Sequence, residues 1–222
     1  MLVLALDTST PAVTAGVVAL GSDIDVLASR VTVDARAHGE LITLHLQEAV
    51  AVAGITLRDV HAVVCGAGPG PYTGLRAGMV SAAALAHGLD VPAYPVCSLD
   101  ATAAEVDSPA PFLVVSDARR REVYWARYGT DGLRVSGPRV DAPSEVDVAG
   151  IPYAAGDGAR LYEDRLGDGA VRPIEPRYPS VRGLVACAAD ALRSGAAPDA
   201  LTPLYLRKPH AKQPGERKRV SA

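Results

Sequence analysis

Cysteine is scarce in this chain of 222 residues, which contains only Cys65, Cys97 and Cys187. Their number is odd, they are far apart and no Cys-x-x-Cys pair exists, which excludes a disulfide framework and favours reduced thiols in the cytoplasm. An excess of positive charge is also missing, because 22 Lys and Arg stand against 25 Asp and Glu, a net charge of −3. The chain therefore lacks the global basic field that would indicate a nucleic-acid-binding protein.

A long hydrophobic run is absent too. The apolar stretch at the start, residues 1–6, stops at Asp7. It is too short for a membrane span and lacks the basic flank of a signal peptide. We therefore expect a cytosolic protein with no membrane contact.

The common nucleophile and metal motifs are missing as well. The chain has no Gly-x-Ser-x-Gly, no P-loop Lys-Ser/Thr and no cysteine with an obvious histidine partner. A zinc or iron pair on the first predicted helix would need two histidines one turn apart. His38 and His45 are two turns apart, about 10 Å along a helix axis. We predict no catalytic residue, no metal site and no cofactor.

A glycine-rich stretch, Gly66 to Gly78, follows a predicted strand at 60–65 and leads into a predicted helix at 75–86. This order brings free backbone N–H groups to a helix N-terminus, where an anion or a carboxylate can bind, and Thr73 is the expected N-cap. A purely structural turn is the alternative. The helix has Arg76 as its only charged side chain, so it is either a core helix or a helix with one face docked on another subunit.

The order of apolar runs and turns predicts an α/β fold. Strands at residues 2–6, 12–19 and 24–33, a helix from His38 to about Val52, a strand, a helix and a strand form a first lobe at residues 1–100. A second lobe at 101–209 starts with the same design, a strand ending in Asp followed at once by another strand, which suggests a duplication. The last helix, at 179–193, belongs to the second lobe or packs back on the first. Residues 210–222 are a basic tail, expected to be disordered, with a weak RNA contact as the alternative.

The tetrad D-T-S-T at residues 7–10 resembles the first phosphate turn of actin-like and sugar-kinase folds, but it lacks the glycine that lets a phosphate approach the backbone. The second turn, at Asp117, has arginines in that place. Asp7 and Asp117 can each be read in two ways, as a residue that forms a turn at the end of a strand or as a remnant of a nucleotide site. The vestigial nucleotide-binding candidates are Asp7, Thr8, Ser9, Asp117, Gly156 and Gly158. The candidates for RNA contact are Arg119, Arg120 and Arg121, for which a solvated turn with partners such as Glu122 is the alternative.

Several blocks together resemble the bacterial TsaB (YeaZ) family: D-T-S-T, H-G-E-L-I at 38–42, G-P-G-P-Y-T-G-L-R-A-G at 68–78, D-A-R-R-R-E-V-Y at 117–124 and P-L-Y-L-R-K-P at 203–209. The resemblance implies an actin-like ATPase (ASKHA) fold with two ribonuclease-H-like lobes. It also implies a non-catalytic subunit that pairs with TsaD, acts with the ATPase TsaE on tRNA, and pairs with itself when isolated. Within that complex, threonylcarbamoyl is transferred from an adenylate to the adenosine beside the anticodon of ANN-decoding tRNAs.

The resemblance further implies that the two helices of the first lobe form the surface for TsaD. A glycoprotease-like peptidase or a weak ATPase is the alternative, and it would need a site at Asp7, His38 or Asp117. The candidate partner-binding residues are His38, Glu40, Leu41, Leu44, His45, Tyr72, Thr73, Leu75, Arg76 and Met79.

Overall fold

A computed structural model describes residues 1–207 of the chain. The first sheet has five strands in the order β3-β2-β1-β4-β5. Its first three strands form an antiparallel meander, and β4 and β5 then run parallel to β1. The strands of this sheet are β1 (Leu2–Asp7), β2 (Ala12–Leu20), β3 (Ile24–Val33), β4 (Ala62–Gly66) and β5 (Ala93–Val96).

The second sheet repeats this topology. Its order is β10-β9-β6-β7-β8, with β6, β7 and β8 antiparallel and with β9 and β10 parallel to β6. The same order and the same strand directions in both sheets are what a duplication predicts. The strands are β6 (Phe112–Asp117), β7 (Val123–Tyr128), β8 (Arg134–Asp141), β9 (Tyr153–Ala155) and β10 (Arg172–Pro173).

Helices cover both faces of the first sheet, which confirms the α/β class. One face packs against α1 and α2 through a core that includes Leu4, Ile42 and Leu75. The other face packs against α5 through residues such as Leu184 and Val185. The helices are α1 (His38–Val52), α2 (Tyr72–Leu89), α3 (Ser98–Ala103), α4 (Asp157–Leu161) and α5 (Val181–Ser194).

The chain thus returns to the first sheet after building the second. The α5 helix begins where the hydroxyl of Ser180 accepts a hydrogen bond from the N–H of Gly183, 3.0 Å away. The division of the chain at residue 100 stays a prediction. Residues 208–209 of the expected second lobe and the expected tail at 210–222 lie outside the described residues. Between residues 1 and 207, no helix combines the length and the apolar character needed to cross a membrane.

One expectation about α2 was wrong. Thr73 is not the N-cap, since the helix begins at Tyr72 after Pro71, whose extended backbone ends the loop two residues earlier. Gly74 and Gly78 are buried against the backbone and side chain of Thr8, in the first turn of the same lobe. Spacing shows that these residues share a face, but it does not show which element that face meets.

Candidate functional site

The exposed sides of α1 and α2 carry large apolar side chains. Leu44 and Val52 on α1 are 46% and 59% exposed, and Tyr72 and Val80 on α2 are 51% and 66% exposed. We call these four residues, with the groove described next, the docking face. Isolated exposed apolar residues are common, but four of them on two adjacent helices leave apolar area that a partner can cover.

A groove of about 840 Å³ runs between the C-terminal halves of α1 and α2. Its walls are almost entirely apolar, with Val50 and Ile55 on the α1 side and Val80 and Leu85 on the α2 side. The only polar side chains in its lining are those of Thr43, Gln47 and Ser81. The docking face is therefore concave as well as apolar, which suits an inserted side chain or helix of a partner protein.

The structure divides the candidate partner-binding residues into two groups. Glu40, Leu44, Tyr72, Thr73 and Arg76 are exposed, and His38 and Leu41 are half-buried. These seven lie where a docked protein can reach them, and their role stays a prediction.

The other three candidates are corrected to core residues. His45 and Met79 are each 5% exposed, and Leu75 is fully buried. All three point at the first sheet, because α1 and α2 turn one side each toward β1, β2 and β4. Val52 and Val80 were missed although they are more exposed than Leu44, and placing each apolar residue on its helical face would have found them.

The Asp7 carboxylate is enclosed by its own chain. Its Oδ1 accepts hydrogen bonds from the N–H of Ser9 at 2.8 Å and from the hydroxyl of Ser9 at 2.7 Å. Its Oδ2 accepts one from the hydroxyl of Ser98 at 2.5 Å. Burial raises the pKa of Asp7, and the hydrogen bonds from Ser98 and Ser9 oppose that shift. Both oxygens are thus engaged inside the protein, where a metal ion or a phosphate would compete with existing bonds.

The side chain of Thr8 is inserted into helix α2. Its hydroxyl donates to the carbonyl of Gly74 at 2.7 Å and accepts from the N–H of Gly78 at 3.0 Å. The approach is so close that a Cβ at position 78 would lie 2.3 Å from the Thr8 oxygen, which explains the glycine there. His38 holds α1 to the same turn, since its Nε2 lies 2.7 Å from the carbonyl oxygen of Thr10. The first turn therefore binds the two helices of the docking face.

Two carboxyl groups with different surroundings lie near each other, Asp117 at the second turn and Asp157 at the start of α4. Asp117 accepts hydrogen bonds from the N–H of Arg119 at 2.9 Å and from the hydroxyl of Tyr162 at 3.0 Å. Asp157 is 6% exposed, and its Oδ1 has no hydrogen-bond partner among the described residues. Burial and, next, the charge of Asp117 raise the pKa of Asp157 to about 6.

The glycines at 156 and 158 fit tightly against strand β6. Gly156 has a φ of +96°, and a Cβ there would lie 2.1 Å from the carbonyl oxygen of Val115. Gly158 is buried in α4. At both positions the atoms nearest to an added Cβ belong to this strand, so packing accounts for the two glycines, and a nucleotide-binding role stays a prediction.

All three arginines after Asp117 adopt left-handed backbone angles, with φ of 62°, 57° and 64° for Arg119, Arg120 and Arg121. Such angles are uncommon for residues with a Cβ and persist only where surrounding contacts enforce them. Arg207 supplies contacts of this kind. Its guanidinium donates to the carbonyls of Ala118 at 2.8 Å and Arg119 at 3.2 Å, and it forms an ion pair with Glu122.

A cleft of about 630 Å³ separates this turn from the glycine loop of the first lobe. We call it the interlobe cleft. The segment before Arg207 crosses its edge, where the ring of Tyr205 stacks on that of Tyr72 at 5.2 Å and the Tyr205 hydroxyl accepts from the Arg76 Nε at 3.0 Å. The lining consists of Gly70, Pro71, Tyr72, Ala118, Arg119, Arg120, Tyr124, Tyr205, Leu206 and Arg207.

Comparison with known proteins adds four findings. The profile of the family described as TsaD, tRNA N6-adenosine threonylcarbamoyltransferase, matches residues 25–211. An uncharacterized protein of Mycobacterium tuberculosis is 51% identical over 216 residues, which is 95% of this chain and 93% of that protein. TsaB of Escherichia coli, a tRNA threonylcarbamoyladenosine biosynthesis protein, is 36% identical over 134 residues, 59% of this chain and 56% of that protein. The crystal structure of a Pseudomonas aeruginosa protein similar to the peptidase YeaZ has a TM-score of 0.78 and 29% identity, covering 93% of this chain and 99% of that one.

Proposed function

The chain belongs to the TsaD-type family and, within it, to the TsaB/YeaZ group involved in tRNA threonylcarbamoyladenosine biosynthesis, and from this premise we propose that it is the non-catalytic subunit of the transferase complex. Its docking face covers a TsaD subunit and holds it in the active shape. TsaD then transfers threonylcarbamoyl from the adenylate to the adenosine beside the anticodon of ANN-decoding tRNAs. TsaE joins the same complex, which works in the cytoplasm.

The observation that supports this proposal most directly is the docking face. Two helices that are firmly held on the inside by Thr8 and His38 present Leu44, Tyr72 and Val80 to solvent on the outside. Such a surface costs solubility and contributes nothing to the chain's own core. A related subunit with its own pair of helices at the same place can bury it symmetrically or nearly so. For the same reason we propose that the isolated chain forms a homodimer through this face.

The enclosed first turn supports the non-catalytic role. In an enzyme of this fold the first aspartate must reach a substrate or an ion, but here Asp7 already accepts three hydrogen bonds from Ser9 and Ser98. Opening that site would break buried bonds to a carboxylate. Within residues 1–207, no group of three or more His, Cys, Asp or Glu side chains is placed to hold a metal ion.

The proposal is tested with Val80→Glu, which puts a charge at the most exposed apolar position of the docking face. Burying an unpaired carboxylate in an apolar interface costs about 2 kcal/mol or more, so the dissociation constant from the cognate TsaD rises about thirtyfold or more. Leu161→Glu is the matched control, because Leu161 is a 61% exposed helical leucine of the second lobe.

The two proteins are mixed, and the mass of the complex is measured by light scattering across a range of concentrations. The reconstituted tRNA modification is measured on the same samples. Val80→Glu weakens the complex and lowers the modification together, whereas Leu161→Glu changes neither. An unchanged complex with Val80→Glu, or equal losses from both variants, contradicts the proposal.

A further inference from the structure

The interlobe cleft has an uneven balance of charge. Its lining contains Arg119, Arg120 and Arg207 and not one carboxylate. Asp117 lies 3.7 Å from the Nε of Arg119, and Glu122 pairs with Arg207. Arg120 is exposed and has no carboxylate within 4.0 Å anywhere in residues 1–207. Positive charge therefore exceeds negative charge in a cleft of a chain whose net charge is negative.

Arg207 is already engaged by the carbonyls of Ala118 and Arg119 and by Glu122. Burial lowers the pKa of the Arg207 guanidinium, and the charge of Arg120 lowers it further. The charge of Arg120 therefore opposes that of Arg207 at the edge of the cleft. An anion beside Arg120 offsets this repulsion and accepts charge-assisted hydrogen bonds, for which the planar guanidinium is well suited.

The remaining wall is aromatic. Tyr72, Tyr124 and Tyr205 all line the cleft. One face of the Tyr72 ring is covered by Tyr205 and Arg76 also lies against that ring, but Tyr205 itself is 42% exposed. Arginines that bind phosphates beside an exposed aromatic ring are the combination that binds single-stranded nucleic acid, because bases stack on the ring while the cations follow the backbone.

On these grounds we propose that the interlobe cleft binds a single-stranded RNA segment, with Arg120 on its phosphates and Tyr205 stacked on a base. This inference rests on the proposed role in tRNA modification and gives this chain its own contact with the RNA. Tyr205 and the side chain of Arg119, which is 52% exposed, are accessible from solvent, so an RNA strand can reach the cleft.

The test measures fluorescence anisotropy of a labelled, unstructured RNA of about twelve nucleotides, a length within the range of single-strand sites. The purified full chain is used without any partner, so a failure of the TsaD interaction does not affect the result. Arg120→Glu lowers the affinity about tenfold, and it reduces the slope of log affinity against log salt by about 0.7 for each phosphate that the variant no longer neutralises. Arg58→Glu is the control, because Arg58 is exposed and lies outside the cleft.

Tyr205 provides a second, independent readout. Tyr205→Ala removes the stacking ring and weakens binding about tenfold, whereas Tyr205→Phe keeps the ring, loses only the hydroxyl that accepts from Arg76, and binds RNA as the wild type does. A parallel arm titrates free AMP and ATP as competitors. Equal losses with Arg120→Glu and Arg58→Glu, no loss with Tyr205→Ala, or binding of ATP in place of RNA would each overturn the proposal.

Discussion

Replacing Asp157 by asparagine should raise the free energy of unfolding at neutral pH. It should also remove part of the pH dependence of that free energy. Asp157 is buried, its Oδ1 has no hydrogen-bond partner among the described residues, and Asp117 is a nearby negative charge. Burial first and Asp117 second raise its pKa from 3.8 to about 6. The folded state therefore binds the Asp157 proton more tightly than the unfolded state does.

The sign of the effect follows from proton linkage. Since the folded pKa is the higher one, Asp157 is neutral in both states well below pH 3.8 and charged in both well above pH 6. Between these values the free energy of unfolding falls as the pH rises, because ionisation is penalised only in the fold. At about 1.4 kcal/mol for each pH unit between the two pKa values, the full loss is about 3 kcal/mol. About half of it falls between pH 5 and pH 7.5.

The assay is urea unfolding followed by the fluorescence of Trp125, the only tryptophan and a buried one. The stability of Asp157→Asn minus that of the wild type should be positive at pH 7.5 and smaller by about 1.5 kcal/mol at pH 5. Asp199→Asn, at an exposed position, controls for the general effect of removing a charge and should show no such trend. A difference that stays constant or grows toward acid pH would refute the reasoning.

Two further outcomes concern the first lobe. Gly78→Ala should lower the free energy of unfolding in urea by about 2 kcal/mol or more, since the added Cβ would lie 2.3 Å from the Thr8 hydroxyl. Gly88→Ala is the matched control, because its added Cβ would meet no neighbouring atom within 4 Å, and it should raise the same free energy by up to about 1 kcal/mol. Equal effects would mean that Thr8 does not fix α2. Mg-ATP and zinc should each leave the melting temperature unchanged in the wild type, because both Asp7 oxygens already accept hydrogen bonds; tight binding that disappears in Asp7→Ala would instead favour the enzyme alternative.

The longer elements could be predicted from the sequence because their patterns are strong. The helix expected from His38 to about Val52 has those bounds in the structure, and the strand at Ile24–Val33 is also where the pattern indicated. Strands β8, β9 and β10 were missed. The first contains Gly137 and Pro138, and the other two have only three and two residues. Such short or interrupted strands exist through pairing with their neighbours, which a local pattern does not reveal.

The site was only partly predictable for a related reason. The exposed part of the docking face follows from the excess of apolar residues on α1 and α2. The burial of His45, Leu75 and Met79 depends on how each helix is rotated on the sheet, and a helix that is apolar all round carries little information on rotation. The interlobe cleft combines Tyr72, Arg120 and Arg207, which are far apart in sequence and meet only through the repeated topology of the two sheets.

The Thr8 hydroxyl within α2 has a consequence for the kinetics of assembly. Sliding that helix along the sheet would break two buried hydrogen bonds at once, so the outer surface is fixed before any encounter occurs. Association of monomers whose face is free should then proceed as a rigid-body collision, with a single phase whose rate rises linearly with concentration and without a slow isomerisation afterwards. In this protein one small side chain in the interior sets how promptly its surface can recognise another molecule.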